Sequence, residues 1–411
     1  MNPAEPYRRR VIFAAAPHRM MMFGGALQLV LTMLLWGMEL LGRYTAFSAP
    51  AWQVPGLWGH GFFMLYTLFT FFIFGFLMTT YPRWMGGREI PRPEYVRSFL
   101  WMLAALPVLY LGVFLDRLLM AVGVAMLLTG WLLGLRALLR VYREAAAADK
   151  RYETLINLYL GMAALGMLIY GIGLLSNNPM AYVLAMLVGL WGFLVPLLFT
   201  VAHRMLPFFS GSVLESYQRV QPFRLLQLMV AAAFLRLLLS ALGAEAWLLL
   251  ADLPLLLGSA WLSLRWGLAR SFAVPLLAVL HIAFLWLPIG MALFVVQDLA
   301  RLLSLSIPLG QAPLHALGIG FVTGMTIAMA TRVTLGHSGR ELRLDAFTAW
   351  LYAGVNLAAL LRIMAELPGL GMVAGLSTNL LAAGIWLLCL LPWALRYGVI
   401  YWTPRVDGRE G

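Results

Sequence analysis

Long apolar stretches separated by short polar ones run the length of the chain. Twelve such stretches lie at about 20–42, 58–80, 98–115, 118–139, 154–175, 180–201, 223–243, 245–264, 271–297, 311–331, 346–366 and 372–395. Each approaches the roughly 20 residues that a helix needs to cross a bilayer. Lipid offers the backbone no hydrogen-bond partner, so stretches of this kind are read as helices. The polar intervals are too short to hold a soluble domain. The pattern predicts an all-α, polytopic transmembrane helix bundle of about 12 spans, one integral membrane domain over residues 1–411.

The polar positions predict its orientation. Arg8, Arg9, Arg10 and Arg19 precede the first span, and every second interval is basic. Those intervals hold Arg83, Arg88, Arg92 and Arg97; Arg140, Arg143, Lys150 and Arg151; Arg204, Arg219 and Arg224; Arg265 and Arg270; and Arg332, Arg340 and Arg343. The alternate intervals balance Arg43, Arg117 and Arg301 with acids such as Asp116, Glu245 and Asp298. Arginine-rich loops stay in the cytoplasm, so both termini are expected there, in agreement with an even number of spans. The first stretch is long enough to remain a span, and no cleavable signal peptide is expected.

Composition narrows the class. The chain is 62% apolar and 11% charged, against about half and a quarter in soluble domains. The net charge of +12 raises the question of nucleic acid. The arginines lie between spans, however, and topology and anionic lipid account for them, so the expected partner is the bilayer and no nucleic acid. Cys389 is the single cysteine, which excludes an internal disulfide, an iron–sulfur cluster and a thiolate zinc site. Without a CxxCH motif, any haem is held without thioether links. No Walker, HExxH, GxSxG or EF-hand pattern supports a hydrolase or a nucleotide-driven pump.

The six histidines are the candidates for chemistry, because imidazole binds metals and moves protons at neutral pH. On the predicted spans His60 is the third residue of the second and His315 the fifth of the tenth, both near the outer face. At 1.5 Å per residue their depths differ by only a few ångström. His203 ends the sixth span, His337 follows the tenth and His18 precedes the first, all on the cytoplasmic side. His281 falls about ten residues into the ninth span, roughly 15 Å deep. A lone interfacial histidine is more often an anchor than a ligand, whereas a midplane histidine is costly and usually functional. Two histidines at matched depth suit the axial positions of a haem, and several at one end suit copper. The candidates are therefore His60 and His315 for haem, and His203, His281, His337 and His18 for a second centre.

Other features qualify this picture. Glu39, in the outer half of the first span, stands one turn before Arg43. The two form either an i,i+4 ion pair or part of a proton path. Arg236 and Arg362, also within spans, either neutralise haem propionates or snorkel. The 23 methionines are read as packing, and the glycines at 25 and in 318–324 as sites of close helix contact.

Two stretches carry a family resemblance. PLHALGIGFVTGMTIAMATRVTLGHSGREL, residues 313–342, and LWGHGFFMLYTLFTFFIFGFLMTTYPRW, residues 57–84, resemble the NnrS family of bacterial membrane proteins. The late motif runs through His315, Ala316, Leu317, Gly320, Thr331, Arg332, Leu335, Gly336, His337, Gly339 and Arg340. The early motif retains Trp58, His60, Met64, Gly75, Phe76, Leu77, Pro82 and Trp84. It departs from the family's HAHEM, placing Phe62 and Phe63 where the second histidine and the glutamate stand. HRMLPFFSG, residues 203–211, is similar to a further family segment. The resemblance implies an inner-membrane protein of bacteria with haem b and copper, acting in nitric oxide metabolism or nitrosative-stress resistance. Arg332 enters as a cofactor-binding residue through this motif. The enzymatic reading is a nitric-oxide-reductase-type oxidoreductase that takes electrons from quinol or another donor, with Glu39 on its proton path. The alternative is a non-catalytic haem- or copper-binding sensor or transporter.

Overall fold

The structure, a computed structural model, describes residues 11–408. Arg8, Arg9 and Arg10 of the basic N-terminus lie outside the described residues. Twelve helices long and apolar enough to cross a membrane follow in order: α1 Pro17–Tyr44, α2 Gly56–Trp84, α3 Arg92–Leu115, α4 Arg117–Glu144, α5 Arg151–Ser176, α6 Pro179–Val213, α7 Phe223–Ala241, α8 Glu245–Arg265, α9 Pro275–Leu302, α10 Ala312–His337, α11 Ala346–Met364 and α12 Thr378–Ile400. The number and order of spans agree with the apolar pattern. Local chemistry fixes several starts. Asp116 accepts from the amides of Leu118 and Leu119, Asn178 from Met180 and Asp345 from Thr348, which satisfies donors that a helix start leaves open.

Most consecutive helices pack against each other, most extensively α3 with α4, whereas α2 and α3 hardly touch. α1, α2, α6, α9 and α10 are the most buried. The other seven are less than half buried and turn residues such as Leu115, Leu264, Trp350 and Leu388 outward, as contact with lipid requires. α1 approaches α2 through Gly24 and Gly25: a Cβ there would stand 2.5 Å from the Phe71 ring and 2.6 Å from the Phe72 ring. Small residues at such contacts let backbones approach and gain dispersion, the main attraction between helices in lipid.

The two ends of the described chain meet at the arginine-rich end of the bundle. Arg19 donates to the carbonyl oxygens of Tyr401 and Thr403 at 3.2 and 2.8 Å, and Phe13 stacks on Trp402 at 3.8 Å.

Several boundaries differ from the sequence pattern, most of all that of α6, which runs on to Val213 and so holds His203 inside the helix and not at its end. α10 continues past 331, so Arg332 is a buried helical residue and not a loop cation. Its polar segment is tolerated because the Thr331 hydroxyl accepts from Tyr352 and Trp393, and Thr334 bonds Tyr401. α9 begins at Pro275, after a short turn at Leu268–Ser271. His281 is thus its seventh residue, about 9 Å from the arginine-rich end instead of near the midplane. Residues 372–377 form a two-residue hairpin, Met372–Val373 with Leu376–Ser377. Ala374 and Gly375 carry positive φ at its turn, the geometry a tight hairpin favours, and α12 starts only after it.

Candidate metal centres

The histidines fall into two pairs at opposite ends and two separate residues. At the end away from the arginines, His60 lies on the first turns of α2 and His315 on the first turn of α10. The two side chains are electrostatic neighbours, and both face Arg362. In each helix a π-helical segment follows the histidine: Phe63–Leu68 in α2 and Ala316–Thr323 in α10. A π turn interrupts the i to i−4 ladder and re-aims side chains, and such turns recur at functional sites. The His60 ring stacks on Trp36, with centroids 4.0 Å apart and planes 20° from parallel. Its Nδ1 is buried without a partner. The His315 Nδ1 stands 2.9 Å from the Gln311 carbonyl oxygen. That oxygen only accepts, so Nδ1 carries the proton and Nε2 keeps its lone pair for a ligand.

Two ion pairs flank the pair. Arg43 meets Glu39 at 2.8 Å and Arg362 meets Glu366 at 2.7 Å. The i,i+4 geometry read from Glu39 and Arg43 is therefore present.

At the arginine-rich end His18, second residue of α1, faces His337, last residue of α10. Their ring centroids are 4.6 Å apart with 41° between planes. His18 is buried, and its Nδ1 has no partner. The C-terminal segment closes over them. Arg405 donates to the His337 carbonyl oxygen at 2.9 Å, and Val406 N–H to Ser338 O at 3.0 Å. Asp407 pairs with the other side of the Arg405 guanidinium.

His203 and His281 join neither pair. The Tyr152 hydroxyl lies 2.8 Å from His203 Nδ1, and His203 Nε2 is buried without a partner. Ser210 Oγ lies 3.0 Å from His281 Nε2. Trp266 packs edge-on to His203 and against Phe284, an aromatic layer on the α9 side of His203. Among the described residues no three or more His, Cys, Asp or Glu side chains are grouped to hold a metal. The buried Arg332 guanidinium lies over Phe209 at 4.1 Å.

The two pairs differ in what they accept. A macrocycle bound through two axial imidazoles needs both rings an iron–nitrogen bond away on opposite faces. Centroids 4.6 Å apart leave no room for that between His18 and His337. That separation leaves at most the space of a single ion, and His18 Nδ1 has no protein partner. The stacked, unpartnered His60 and the tautomer-fixed His315 retain the lone pairs that iron ligation uses.

A family profile described as NnrS protein matches residues 12–405. The chain belongs to the NnrS family. Among curated proteins, none matches it. Within this NnrS chain the early and late motifs supply three of the four paired histidines, His60, His315 and His337, while His18 comes from outside both. Residue order gave no sign of Trp36, Gln311 or Tyr152, whose roles depend on helix adjacency. Ser210 was legible only as part of the segment 203–211.

Two cavities lie near these groups. One of about 40 Å³, lined by Met22, Phe72, Leu197, Val201, Met325 and Met329 among others, sits where α1, α2, α6 and α10 meet. Its apolar lining favours a small apolar occupant over water. The other, of about 540 Å³, opens at the arginine-rich end and is lined by Trp84, Asp149, Tyr152, Arg204 and Phe208. Hydrogen bonds from Arg151 hold the Asp149 carboxyl down at about 2.

Proposed function

We propose that this NnrS-family protein is a single-domain inner-membrane protein of bacteria that binds haem b and copper and acts on nitric oxide. In this reading His60 and His315 hold the haem, and His18 and His337 hold copper. His203 and His281 are hydrogen-bonded to Tyr152 and Ser210 and belong to neither centre. The observation that carries it is the pairing of unsatisfied imidazoles: buried His60 Nδ1 and His18 Nδ1 lack partners, and each stands beside a second histidine. A buried polar atom left unpaired is costly unless something fills its valence.

When bound, haem supplies a redox-active iron with affinity for NO. The chain's own groups define the rest. Gln311 fixes the His315 tautomer, and Trp36 holds the His60 ring plane. Arg43 and Arg362, each paired with a carboxylate one turn away, would be the cations available to anionic propionates, and the buried Arg332 of the late motif would be a further anion-binding group. The small apolar cavity offers NO a dry resting place. Reduction consumes electrons from quinol or another donor, and protons, with Glu39 at the entry beside the haem pair. By the arginine distribution the His18–His337 end faces the cytoplasm.

Purified protein tests this through oxidised and dithionite-reduced visible spectra, with iron and copper quantified on the same sample. Reduced b-type bands and near-equal copper support both centres. Haem without copper returns His18 and His337 to packing. Absence of both metals from folded protein overturns the proposal. Donor-dependent consumption of more than one NO per protein separates turnover from stoichiometric sensing or transport.

A further inference from the structure

A third polar centre lies apart from every histidine, where α7, α8 and α9 meet. Arg236 of α7, Asp252 of α8 and Asp298 of α9 are each more than nine-tenths buried. Arg236 Nη1 pairs with Asp252 Oδ2. Arg301 Nη1 meets Asp298 Oδ1 at 3.1 Å, and Arg301 Nε reaches Glu245 Oε2 at 3.4 Å. Asp298 and Arg236 are the charged groups that act on Asp252, and Asp298 acts on Arg236 in turn.

The hydrogen-bond accounting does not close. Asp252 Oδ1 and Asp298 Oδ2 are both buried and both lack a partner, as does Arg236 Nε. Two ionised carboxylates are acceptors only, so neither satisfies the other, and like charges at contact in a dry site repel strongly. The buried charges show the same deficit: Asp252 and Asp298 set two negative charges against the one of Arg236, while Arg301 and Glu245 reach solvent. One proton corrects both faults. It turns one carboxyl into a donor to the other and brings the group to neutrality.

The surroundings suit a site that fills and empties. The charged groups facing the pair are Arg236 from α7, Asp298 and Arg301 from α9, and Glu245 at the start of α8. From α6, Trp191 adds only its ring face, 4.5 Å from the Arg236 guanidinium, and Phe294 of α9 lies at 4.0 Å. Asp252 is the eighth residue of α8, about 10 Å from its end. Asp298, Arg301 and Glu245 lead from it to the surface, where Glu245 is exposed. We propose that Asp252 and Asp298 form a proton-binding pair, loaded from the aqueous phase at the Glu245 end and held inside the bundle by Arg236. This proposal is independent of any metal centre.

Infrared spectroscopy of the purified full-length protein tests it. Wild type is expected to show the C=O stretch of a buried carboxylic acid, shifted in D2O and lost reversibly on raising the pH. Asp252→Asn and Asp298→Asn should each abolish it, because the remaining aspartate then ionises beside its arginine. Asp298→Glu should keep the band at a moved frequency, which decides the matter if the asparagine variants do not fold. A band that survives both asparagine variants, or that Asp298→Glu leaves unmoved, overturns the proposal. So does a wild-type spectrum without the band, in which exchanging potassium for sodium alters the melting temperature, since the site then holds a metal cation.

Discussion

The two histidine pairs sit at opposite ends of α10, yet they are built differently. His60 and His315 each begin a helix that continues into a π-helical segment. One imidazole is held by an aromatic face and the other by a main-chain carbonyl. His18 and His337 stand ring to ring with no spacer, and a folded-back C-terminal segment covers them through Arg405 and Val406. The first arrangement orients each ring separately. The second fixes a short separation and admits only a small ion. What surrounds each ring, more than residue type, distinguishes the two pairs.

The largest expected effect lies in the first pair. His315→Ala is expected to remove haem absorbance from folded protein while leaving copper in place, and His60→Ala to do the same. Retention of full haem by either variant breaks the assignment. His337→Ala or His18→Ala is expected to remove copper and spare haem, as metal analysis would record. Loss of both metals in one variant would mean that the two pairs are not separate centres.

A smaller effect should follow from the helix contact that supports the first pair. Gly24→Val places branched carbon where the Phe71 ring already lies within 2.5 Å of a Cβ position. Overpacking of this kind costs about 1–3 kcal/mol, so a lower melting temperature is expected with haem content per folded protein retained. An unchanged melting temperature would show that α1 and α2 yield freely.

Tyr152→Phe removes the hydroxyl at His203 Nδ1. It should cost about 1 kcal/mol and leave both metals bound. Copper loss in this variant would bring His203 into the second centre. The smallest structural effect is expected from Glu39→Gln, which breaks a partly exposed pair with Arg43 worth about 0.2–1 kcal/mol. Donor-dependent NO consumption should fall in that variant while haem and stability persist. Unaltered turnover would remove Glu39 from the proton path.

Much of this was legible in the chain. The apolar stretches gave the number, order and approximate limits of all twelve helices, because span length is set by bilayer thickness. Matched depth pointed to His60 and His315 as possible partners, but adjacency of α2 and α10 is a tertiary fact that no periodicity encodes. His18, His203 and His337 were grouped by end alone, and His281 was added to them from a greater depth. In the structure, His337 turns to His18, and the other two bond Tyr152 and Ser210. The depth of His281 was misjudged because an apolar run does not reveal the short turn before Pro275, where the helix begins. Arg332 was placed in a loop because it is charged. Its burial is possible because hydroxyls from α11 and α12 bond the threonines on either side. Asp252 drew no notice in the sequence, since its significance depends on Asp298, a residue 46 positions away on another helix.

The most direct measurement is a paired metal and spectral analysis of wild type, His315→Ala and His337→Ala, each confirmed as folded and monodisperse. The account predicts haem and copper in wild type, copper alone in His315→Ala, and haem alone in His337→Ala. Haem retained in His315→Ala together with copper retained in His337→Ala would contradict it.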